Sequence, residues 1–186
     1  GMQTVVVAHP PKFGATLAGF DDTKAREVAG VTAVHEIPQG VAVYANSTHA
    51  ALKGREALSI DWDDSGAETR STEQIFSDYA EAAQDGGRDA EMIGDGAAGI
   101  DGSDQVIEAE FRFPYLAHAP LEPLDGVVEW SDEGAEIWMG SQFPSFDKPA
   151  IAQGLGLSPE TVTLNVMLAG GSFGRRAQDT AHFANE

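Results

Sequence analysis

The sequence predicts an α+β fold in which short helices pack against small sheets, and three observations support this class. In the first third of the chain, runs of β-branched and apolar residues alternate with short amphipathic stretches. Asp, Ser or Thr residues, which commonly cap helices, precede those stretches. Glycine makes up 21 of the 186 residues, which indicates many tight turns or close backbone contacts. Helices placed between strands in this way favour a layer of helices against a sheet.

The first third of the chain predicts strands and helices in the order strand, strand, helix, strand, strand, helix, strand. The strands are expected at residues 3–8, 13–20, 31–37, 41–45 and 58–62, and the helices at residues 24–29 and 49–56. The segments DDT at 21–23 and NST at 46–48 precede the two helices. Their side-chain oxygens can accept hydrogen bonds from the free N–H groups of each first helical turn.

The middle of the chain predicts one further helix and an acidic loop. The helix follows the cap residue Ser71. Its apolar side consists of Ile75, Phe76 and Tyr79. Residues 85–104 contain six glycines and six acidic residues, and we expect mostly surface loop there, with a short strand at residues 91–93. An acidic loop can also bind calcium, but the ligand spacing of an EF-hand is missing.

The second half of the chain predicts mainly strands. Residues 106–113 (VIEAEFRF) alternate between apolar and polar types, which predicts a half-buried strand. The remaining expected elements are a hairpin of strands at 127–130 and 135–139, a helix at 146–155, a capping-type turn at 158–160 and a strand at 161–168.

The charge and the composition exclude several classes of function. Thirty acidic residues against eleven Lys and Arg give a net charge of −19, and phosphate binding needs a basic face, so no nucleic-acid partner is expected. The same charge argues against binding to anionic lipid. No apolar run approaches the roughly 20 residues of a membrane-spanning helix. With no cysteine, the 186 residues hold no disulfide, thiolate metal site or cysteine nucleophile.

A glycine turn near the end of the sequence is the strongest candidate for a functional site. Residues 161–178 contain no acidic residue, and the turn at 170–174 (GGSFG) leads directly into Arg175 and Arg176. Such a turn can present backbone N–H groups to an anion, with the two guanidinium groups as further donors. A surface turn with solvated arginines is the simpler interpretation, and the turn alone does not decide between them.

The same turn also matches the G-x-S-x-G pattern of serine hydrolases, with Ser172 as the nucleophile. Such an enzyme needs an Asp and then a His later in the chain. Asp179 and His182 are the residues available, and they lie too close in sequence to Ser172 to sit on separate loops. A hydrolase is therefore the weaker alternative.

Four motifs in a set order carry a resemblance to a known family. They are AHAPLEP at 117–123, WMGSQFP at 138–144, LGLSPETV at 155–162 and GGSFGRR at 170–176. In this order the chain resembles the molybdopterin-binding large subunit of the xanthine dehydrogenase/aldehyde oxidase family. Within that family it is similar to the isoquinoline 1-oxidoreductase β-subunit branch, whose glycine motif ends in two arginines. Residues 3–63 resemble the family's α/β hammerhead domain through PPKFG at 10–14, VAGV at 28–31 and GVAV at 40–43.

The resemblance implies an oxidoreductase that hydroxylates an aldehyde or an N-heterocycle with oxygen from water. It implies molybdopterin, in the cytosine dinucleotide form and carrying molybdenum, as the cofactor, and a small subunit with [2Fe-2S] clusters as the partner. In such enzymes the glutamine matching Gln142 lies beside an oxygen ligand of molybdenum, and the glycine turn wraps the pterin. The residues implied to bind the cofactor are Gln142, Gly170, Gly171, Ser172, Phe173, Gly174 and Arg175. None of them is implied to bind the metal directly.

Further positions match or depart from the family pattern. His118 and Glu122 match its H-x-x-x-E segment, and we expect both to satisfy buried backbone groups near the site. Ser172 stands where the family commonly has a third glycine. Ala177 stands where xanthine-oxidising members have a substrate-facing glutamate, so a purine substrate is not expected.

The resemblance also implies residues that this sequence does not contain. The family's general base is a glutamate in a G-x-G-E-like motif far downstream, and no such motif follows Arg176. We therefore expect an inactive fragment of a bacterial oxidoreductase subunit, with no catalytic residue and no bound cofactor. Gly1 before Met2 indicates that the native N-terminus is missing, which leaves the compartment open between periplasm and cytoplasm.

The expected domains are an α/β hammerhead-like domain at 2–84, an acidic glycine-rich loop at 85–104, and the truncated N-terminal part of a molybdopterin-binding domain at 105–186. The alternative to an enzyme fragment is a free-standing, non-catalytic α+β module whose acidic surface docks a partner.

Overall fold

The computed structural model describes residues 1–88, 90–91 and 93–177, and it confirms the predicted α+β class. The strands are β1 (Thr4–Ala8), β2 (Thr16–Asp21), β3 (Val31–Ile37), β4 (Gly40–Ala45), β5 (Ser59–Asp63), β6 (Gly126–Ser131), β7 (Gly134–Met139) and β8 (Val162–Val166). The α-helices are α1 (Thr23–Arg26), α2 (Thr48–Glu56), α3 (Thr72–Gln84), α4 (Gly96–Asp101) and α5 (Pro144–Leu155), and a 3₁₀ turn lies at Pro159–Thr161. Within the described ranges, no helix is long and apolar enough to cross a membrane.

The chain divides into two compact units. One unit comprises Gly1–Ala67 together with Ala117–Glu186, and the other comprises Glu68–Leu116. The domain boundaries expected after residues 84 and 104 stay a prediction.

Strand β4 is the buried centre of the N-terminal sheet. It pairs antiparallel with β1 on one side and β3 on the other. Val41, Val43 and Ala45 of β4 are fully buried, because the strand is central and α2 packs on the sheet. Ser47 caps α2 as predicted, since its Oγ accepts a hydrogen bond from the N–H of Ala50 at 3.3 Å. Strands β2 and β5 form a separate antiparallel ribbon.

The unit Glu68–Leu116 contains α3 and α4. A capping box starts α3, because Ser71 Oγ accepts from the N–H of Gln74 at 3.2 Å while Gln74 Oε1 accepts from the N–H of Ser71 at 2.7 Å. Helix α4 lies inside the segment predicted as loop, and its start is capped by Asp95, whose Oδ1 accepts from the N–H of Ala98 at 3.0 Å. The strand predicted at 91–93 includes Met92, which lies outside the described residues.

The prediction of a strand at residues 106–113 is wrong. These residues are irregular, and Ile107, Phe111 and Phe113 are 85%, 76% and 78% exposed. Alternation predicts which side chains share a face, but a strand also needs another strand to accept its backbone hydrogen bonds. None of the strands in the described part of the chain pairs with this segment.

The C-terminal layer consists of one sheet and one helix, and it contains the predicted hairpin, helix and following strand. Strands β6 and β7 form an antiparallel hairpin, and β8 pairs parallel to β7 after the chain has crossed over through α5. The core between sheet and helix consists of Ala135, Ile137, Met139, Ile151, Ala152 and Val162. Gly156 ends α5 in the left-handed conformation with φ of 69°, which a residue without Cβ adopts at little cost.

The parallel pairing of β7 and β8 decides where the candidate site lies. Parallel strands run in the same direction, so the segments that follow β7 and β8 leave the sheet at the same edge. These segments are residues 140–143 and residues 167–176, and both carry motifs singled out from the sequence. The carboxyl edge of parallel strands is where α/β sheets commonly bind ligands.

A buried carboxylate ties the start of α5 to the segment after β7. Asp147, in the first turn of α5, is fully buried, and its Oδ2 accepts a hydrogen bond from Ser141 Oγ at 2.5 Å. Its Oδ1 is buried without a hydrogen-bond partner among the described residues. Loss of solvation raises the pKa of Asp147 above its ordinary value, and the Ser141 hydrogen bond opposes that shift in part.

Asp147→Asn should therefore change how stability depends on pH. Because the pKa of the folded carboxyl is raised, the folded protein holds this proton more tightly than the unfolded chain does. The contribution of Asp147 to the free energy of unfolding should fall as the pH rises from the ordinary pKa of 3.8 through the raised pKa, and this loss should be missing in the variant. Urea unfolding of the parent chain and of Asp147→Asn at several pH values between pH 3 and pH 8 measures both free energies of unfolding.

The matched control is Asp132→Asn, which neutralises an exposed carboxylate in the turn between β6 and β7. The unfolding free energy of Asp147→Asn minus that of the parent should increase as the pH rises. The same difference for Asp132→Asn should not change in this way with pH. A difference that is independent of pH would contradict the account.

Candidate functional site

The candidate site lies at the carboxyl edge of β7 and β8. The N–H of Met167 donates to the carbonyl of Met139 at 2.9 Å, which extends the contact between the two chain segments just beyond the strands. The N–H of Gln142 donates to the carbonyl of Arg176 at 3.0 Å. The GSQF segment at 140–143 and the glycine turn at 170–174 are therefore neighbours.

The Arg176 side chain holds three chain segments together. It is fully buried, and its Nη1, Nε and Nη2 donate to the carbonyls of Gly140 at 3.2 Å, Gly171 at 3.3 Å and Pro123 at 3.3 Å. These carbonyls belong to the segment after β7, the glycine turn and the AHAPLEP segment at 117–123. The planar guanidinium has five donors in a fixed arrangement, which suits a group that must bond in several directions.

Glu122 balances the buried charge and anchors the first residue of the glycine turn. Its Oε2 lies 3.5 Å from Nη2 of Arg176 and accepts a hydrogen bond from the N–H of Gly170. A Cβ added at Gly170 would lie 2.7 Å from the Cβ of Glu122, so only glycine allows this close approach. Glu122 was expected to satisfy a buried backbone group; it does bind a backbone N–H near the site, but Gly170 is exposed.

The glycine turn presents a row of free backbone donors. Gly171, Phe173 and Gly174 have φ of 111°, 57° and 95°, so the chain turns through conformations that most residues avoid. Within the described part of the chain, the N–H groups of residues 171–174 have no hydrogen-bond partner. Consecutive free N–H groups in such a turn form a concave site suited to an anion or to ligand oxygens.

Gln142 and Ser172 meet across the site. Ser172 Oγ donates a hydrogen bond to Gln142 Oε1, and it accepts one from the N–H of Arg176 at 2.9 Å. The serine is half-buried, whereas the glutamine is exposed. Of the residues implied to bind a cofactor, Gln142 and residues 170–174 are thus brought together at one edge of the sheet.

The two arginines of the GGSFGRR motif have different surroundings. Arg176 was interpreted as a possible anion donor, but its guanidinium is fully buried and bonded to carbonyl groups, so it is not available to a ligand. Arg175 is half-buried, and within the described residues its side chain forms no hydrogen bond or ion pair. Of the two arginines, Arg175 is therefore the one that is partly exposed.

His118 differs from its predicted role. The side chain was expected to satisfy buried backbone, but the residue is exposed. Its Nε2 would lie 3.9 Å from a Cβ built on Gly174, so the imidazole flanks the glycine turn. The H-x-x-x-E pattern thus combines a structural glutamate with an exposed histidine beside the site.

The local chemistry does not favour the hydrolase interpretation. A serine nucleophile gives its proton to a histidine, whereas Ser172 donates to an amide oxygen. Asp179 and His182, the partners considered from the sequence, lie outside the described residues.

The buried structural roles of two residues, Arg176 and Asp147, were not predicted from the sequence. The burial of Arg176 depends on contacts with residues 53 and 36 positions away, and no local pattern separates it from Arg175. Asp147 looks like an ordinary acidic residue in a first helical turn, where it complements the helix dipole. The one available signal for Arg176 was its place directly after a glycine turn in a segment without acidic residues.

The donors at this edge suit an anionic, oxygen-rich organic ligand. The N–H groups of residues 171–174, which have no partner among the described residues, offer hydrogen bonds together with the amide of Gln142 and the guanidinium of Arg175. No three His, Cys, Asp or Glu side chains among the described residues converge at a spacing suited to a metal ion.

Comparison with known proteins agrees with this arrangement. Isoquinoline 1-oxidoreductase subunit beta of Brevundimonas diminuta is 27% identical to this chain in an alignment of 197 residues. The alignment covers 98% of this chain and 25% of the relative. The membrane-bound aldehyde dehydrogenase (pyrroloquinoline-quinone) of Gluconacetobacter polyoxogenes is 31% identical and covers 90% of this chain and 23% of the relative. The crystal structure of quinoline 2-oxidoreductase from Pseudomonas putida 86 superposes with a TM-score of 0.67 at 19% identity over 99% of this chain and 29% of that one.

The chain thus spans about a quarter of the length of these curated relatives. Residues 79–184, more than half of the chain, match the family described as the molybdopterin cofactor-binding domain. They include the AHAPLEP segment, the GSQF segment and the glycine turn. The chain belongs to the molybdopterin cofactor-binding domain family, and its resemblance to the xanthine dehydrogenase/aldehyde oxidase family is confirmed.

Proposed function

We propose that this chain is part of the large subunit of a molybdenum hydroxylase, and that residues 140–143 and 170–175 form one wall of its cofactor site. The row of free N–H groups at 171–174, beside the amide of Gln142, is the observation that carries the proposal. A dinucleotide cofactor carries phosphate and many oxygen atoms, which such donors can bind. The family match gives the cofactor as molybdopterin, and the cytosine dinucleotide form is part of the proposal.

The residues of the wall have separable roles. The backbone N–H groups of residues 171–174 bind oxygen atoms of the cofactor, and Arg175 can add a charged donor at the rim. Gln142 donates a hydrogen bond from a neutral amide, which stabilises charge that develops on an acceptor oxygen without adding a permanent charge. Arg176 and Glu122 keep these segments in place. When bound, the cofactor supplies the oxygen-transfer and electron-transfer chemistry, which protein side chains cannot.

The substrate class and the partner follow from the relatives. The named relatives act on isoquinoline or on an aldehyde, and we propose an N-heterocycle or an aldehyde as the substrate class. Ala177 stands where a substrate-facing glutamate would serve purine oxidation, so a purine is not proposed. Subunit names among the relatives support a multi-subunit enzyme, and we propose a small subunit with [2Fe-2S] clusters as the electron acceptor. The general base is proposed to lie in another part of the same protein.

The proposal is tested by the metal content of the complete gene product, purified together with its partner subunit. We expect stoichiometric molybdenum by elemental analysis and a pterin after acid release, whereas the 186-residue chain alone should bind no molybdenum. One relative is named for pyrroloquinoline quinone, so quinone should be measured in the same sample. A complete protein that contains quinone and no molybdenum would overturn the proposal.

Gln142→Ala in the complete protein should lower turnover by about 10²–10³-fold, by analogy with removal of one oxyanion-hole donor. The molybdenum content should not change, because the backbone donors of the turn remain. Gln153→Ala is the matched control, since Gln153 is an exposed glutamine on α5. Steady-state kinetics and elemental analysis measure both variants. Equal turnover of the two variants would assign Gln142 no part in the reaction.

A further inference from the structure

We propose that Ser172 is a positioning residue that fixes the side-chain amide of Gln142, so that its NH₂ group faces the ligand side of the glycine turn. The role of that NH₂ toward a cofactor rests on the proposed function. The orientation itself rests on hydrogen bonds of this chain alone.

The direction of the Ser172 hydrogen bond follows from its two partners. A hydroxyl has one proton and two acceptor lone pairs. Ser172 Oγ accepts a hydrogen bond from the N–H of Arg176 at 2.9 Å, and its own proton goes to Oε1 of Gln142. The amide oxygen of Gln142 is thereby occupied, and the Nε2 group keeps both of its protons for other acceptors.

The backbone of Gln142 is already held on both sides. Its N–H donates to the carbonyl of Arg176 at 3.0 Å. On one flank, Ser141 Oγ donates to the buried Asp147 at 2.5 Å and accepts from the N–H of Phe143 at 3.1 Å. Only the side-chain torsions of Gln142 are left free by these bonds, and the Ser172 hydroxyl restrains them.

The restraint would matter because Gln142 is exposed. An exposed glutamine samples several rotamers, and ordering it on binding costs conformational entropy. Ser172 lies within the turn whose N–H groups at 171–174 have no partner in the described part of the chain, so the fixed NH₂ adds two donors beside that row. Pre-ordered donors of this kind cost no reorganisation when a ligand oxygen arrives.

Nuclear magnetic resonance on the 186-residue chain tests the orientation without any cofactor. The side-chain NH₂ signals of Gln142 are assigned by their loss in Gln142→Glu. In the parent chain, ¹⁵N relaxation of the side-chain NH₂ group should give an order parameter of about 0.8 for Gln142 and below about 0.6 for the exposed Gln153. Equal values for the two glutamines in the parent chain would overturn the proposal, whatever the variants do.

Two variants separate the hydroxyl from the backbone of the turn. Ser172→Ala should lower the order parameter of the Gln142 side chain to that of Gln153, and Ser172→Thr, which keeps the hydroxyl, should retain the parent value. The backbone N–H of Gln142 should stay ordered in both, because its bond to Arg176 does not involve Ser172. A Gln142 side chain that remains ordered in Ser172→Ala would show that the hydroxyl does not position it.

Turnover of the complete protein distinguishes failure of this inference from failure of the proposed function. Ser172→Ala should lower turnover by about tenfold, since the donor is kept and its orientation is lost. The double variant with Ser172→Ala and Gln142→Ala should lose no more turnover than Gln142→Ala alone, because both residues act through the Gln142 amide. A loss with Gln142→Ala and none with Ser172→Ala would sink only the positioning role. No loss with either variant, with the relaxation result intact, would show that neither side chain acts in turnover. The proposed function itself fails only if the complete protein contains quinone and no molybdenum.

Discussion

The buried guanidinium of Arg176 is the interaction on which the candidate site depends. Its donors meet carbonyls from three separate segments, and its carboxylate partner Glu122 also holds the first N–H of the glycine turn. A buried charge is costly unless it is paired and fully hydrogen-bonded, so this arrangement tolerates little change in geometry. Arg176 occupies the carbonyl of Gly171, whereas the N–H groups of residues 171–174 have no hydrogen-bond partner within the described part of the chain. One arginine thereby links the glycine turn to the segment after β7 and to the AHAPLEP segment.

The sheet explains why the arginine can reach all three segments. Because β8 runs parallel to β7, the segments after both strands leave at one edge, and the GSQF and GGSFGRR motifs meet there although about 30 residues separate them. Asp147 supports the same edge from the start of α5, where it holds Ser141 next to Gln142. The core of β7, β8 and α5 is small, so polar contacts rather than apolar packing define the detailed shape of the site.

The order of the elements was predictable because it depends on local patterns. Strands β1, β3 and β4, helices α2, α3 and α5, and the hairpin of β6 and β7 follow from β-branched runs, helix caps such as Ser47 and Ser71, and the glycine at 156. The prediction of a strand at 106–113 was wrong because a strand needs a second strand to pair with. Alternation within one segment does not show whether such a partner exists. Helix α4 was missed because glycine and acidic residues suggested a loop, whereas Asp95 caps a short run with two alanines. The burial of Arg176 and Asp147 could not be predicted, since both depend on residues brought together only by the fold.

The measurement that tests this account most directly compares Arg176→Lys with Arg175→Lys in the 186-residue chain. Lysine keeps the charge but replaces the five donors of the guanidinium fork with three on one atom, so it cannot bind the three carbonyls that Arg176 reaches. Arg176→Lys should lower the free energy of unfolding by about 2–3 kcal/mol and shift the backbone amide signals of Gly140, Gly171 and Glu122. Arg175→Lys, at the half-buried neighbour, should change neither by more than about 0.5 kcal/mol. Equal effects of the two substitutions would contradict the central place of Arg176.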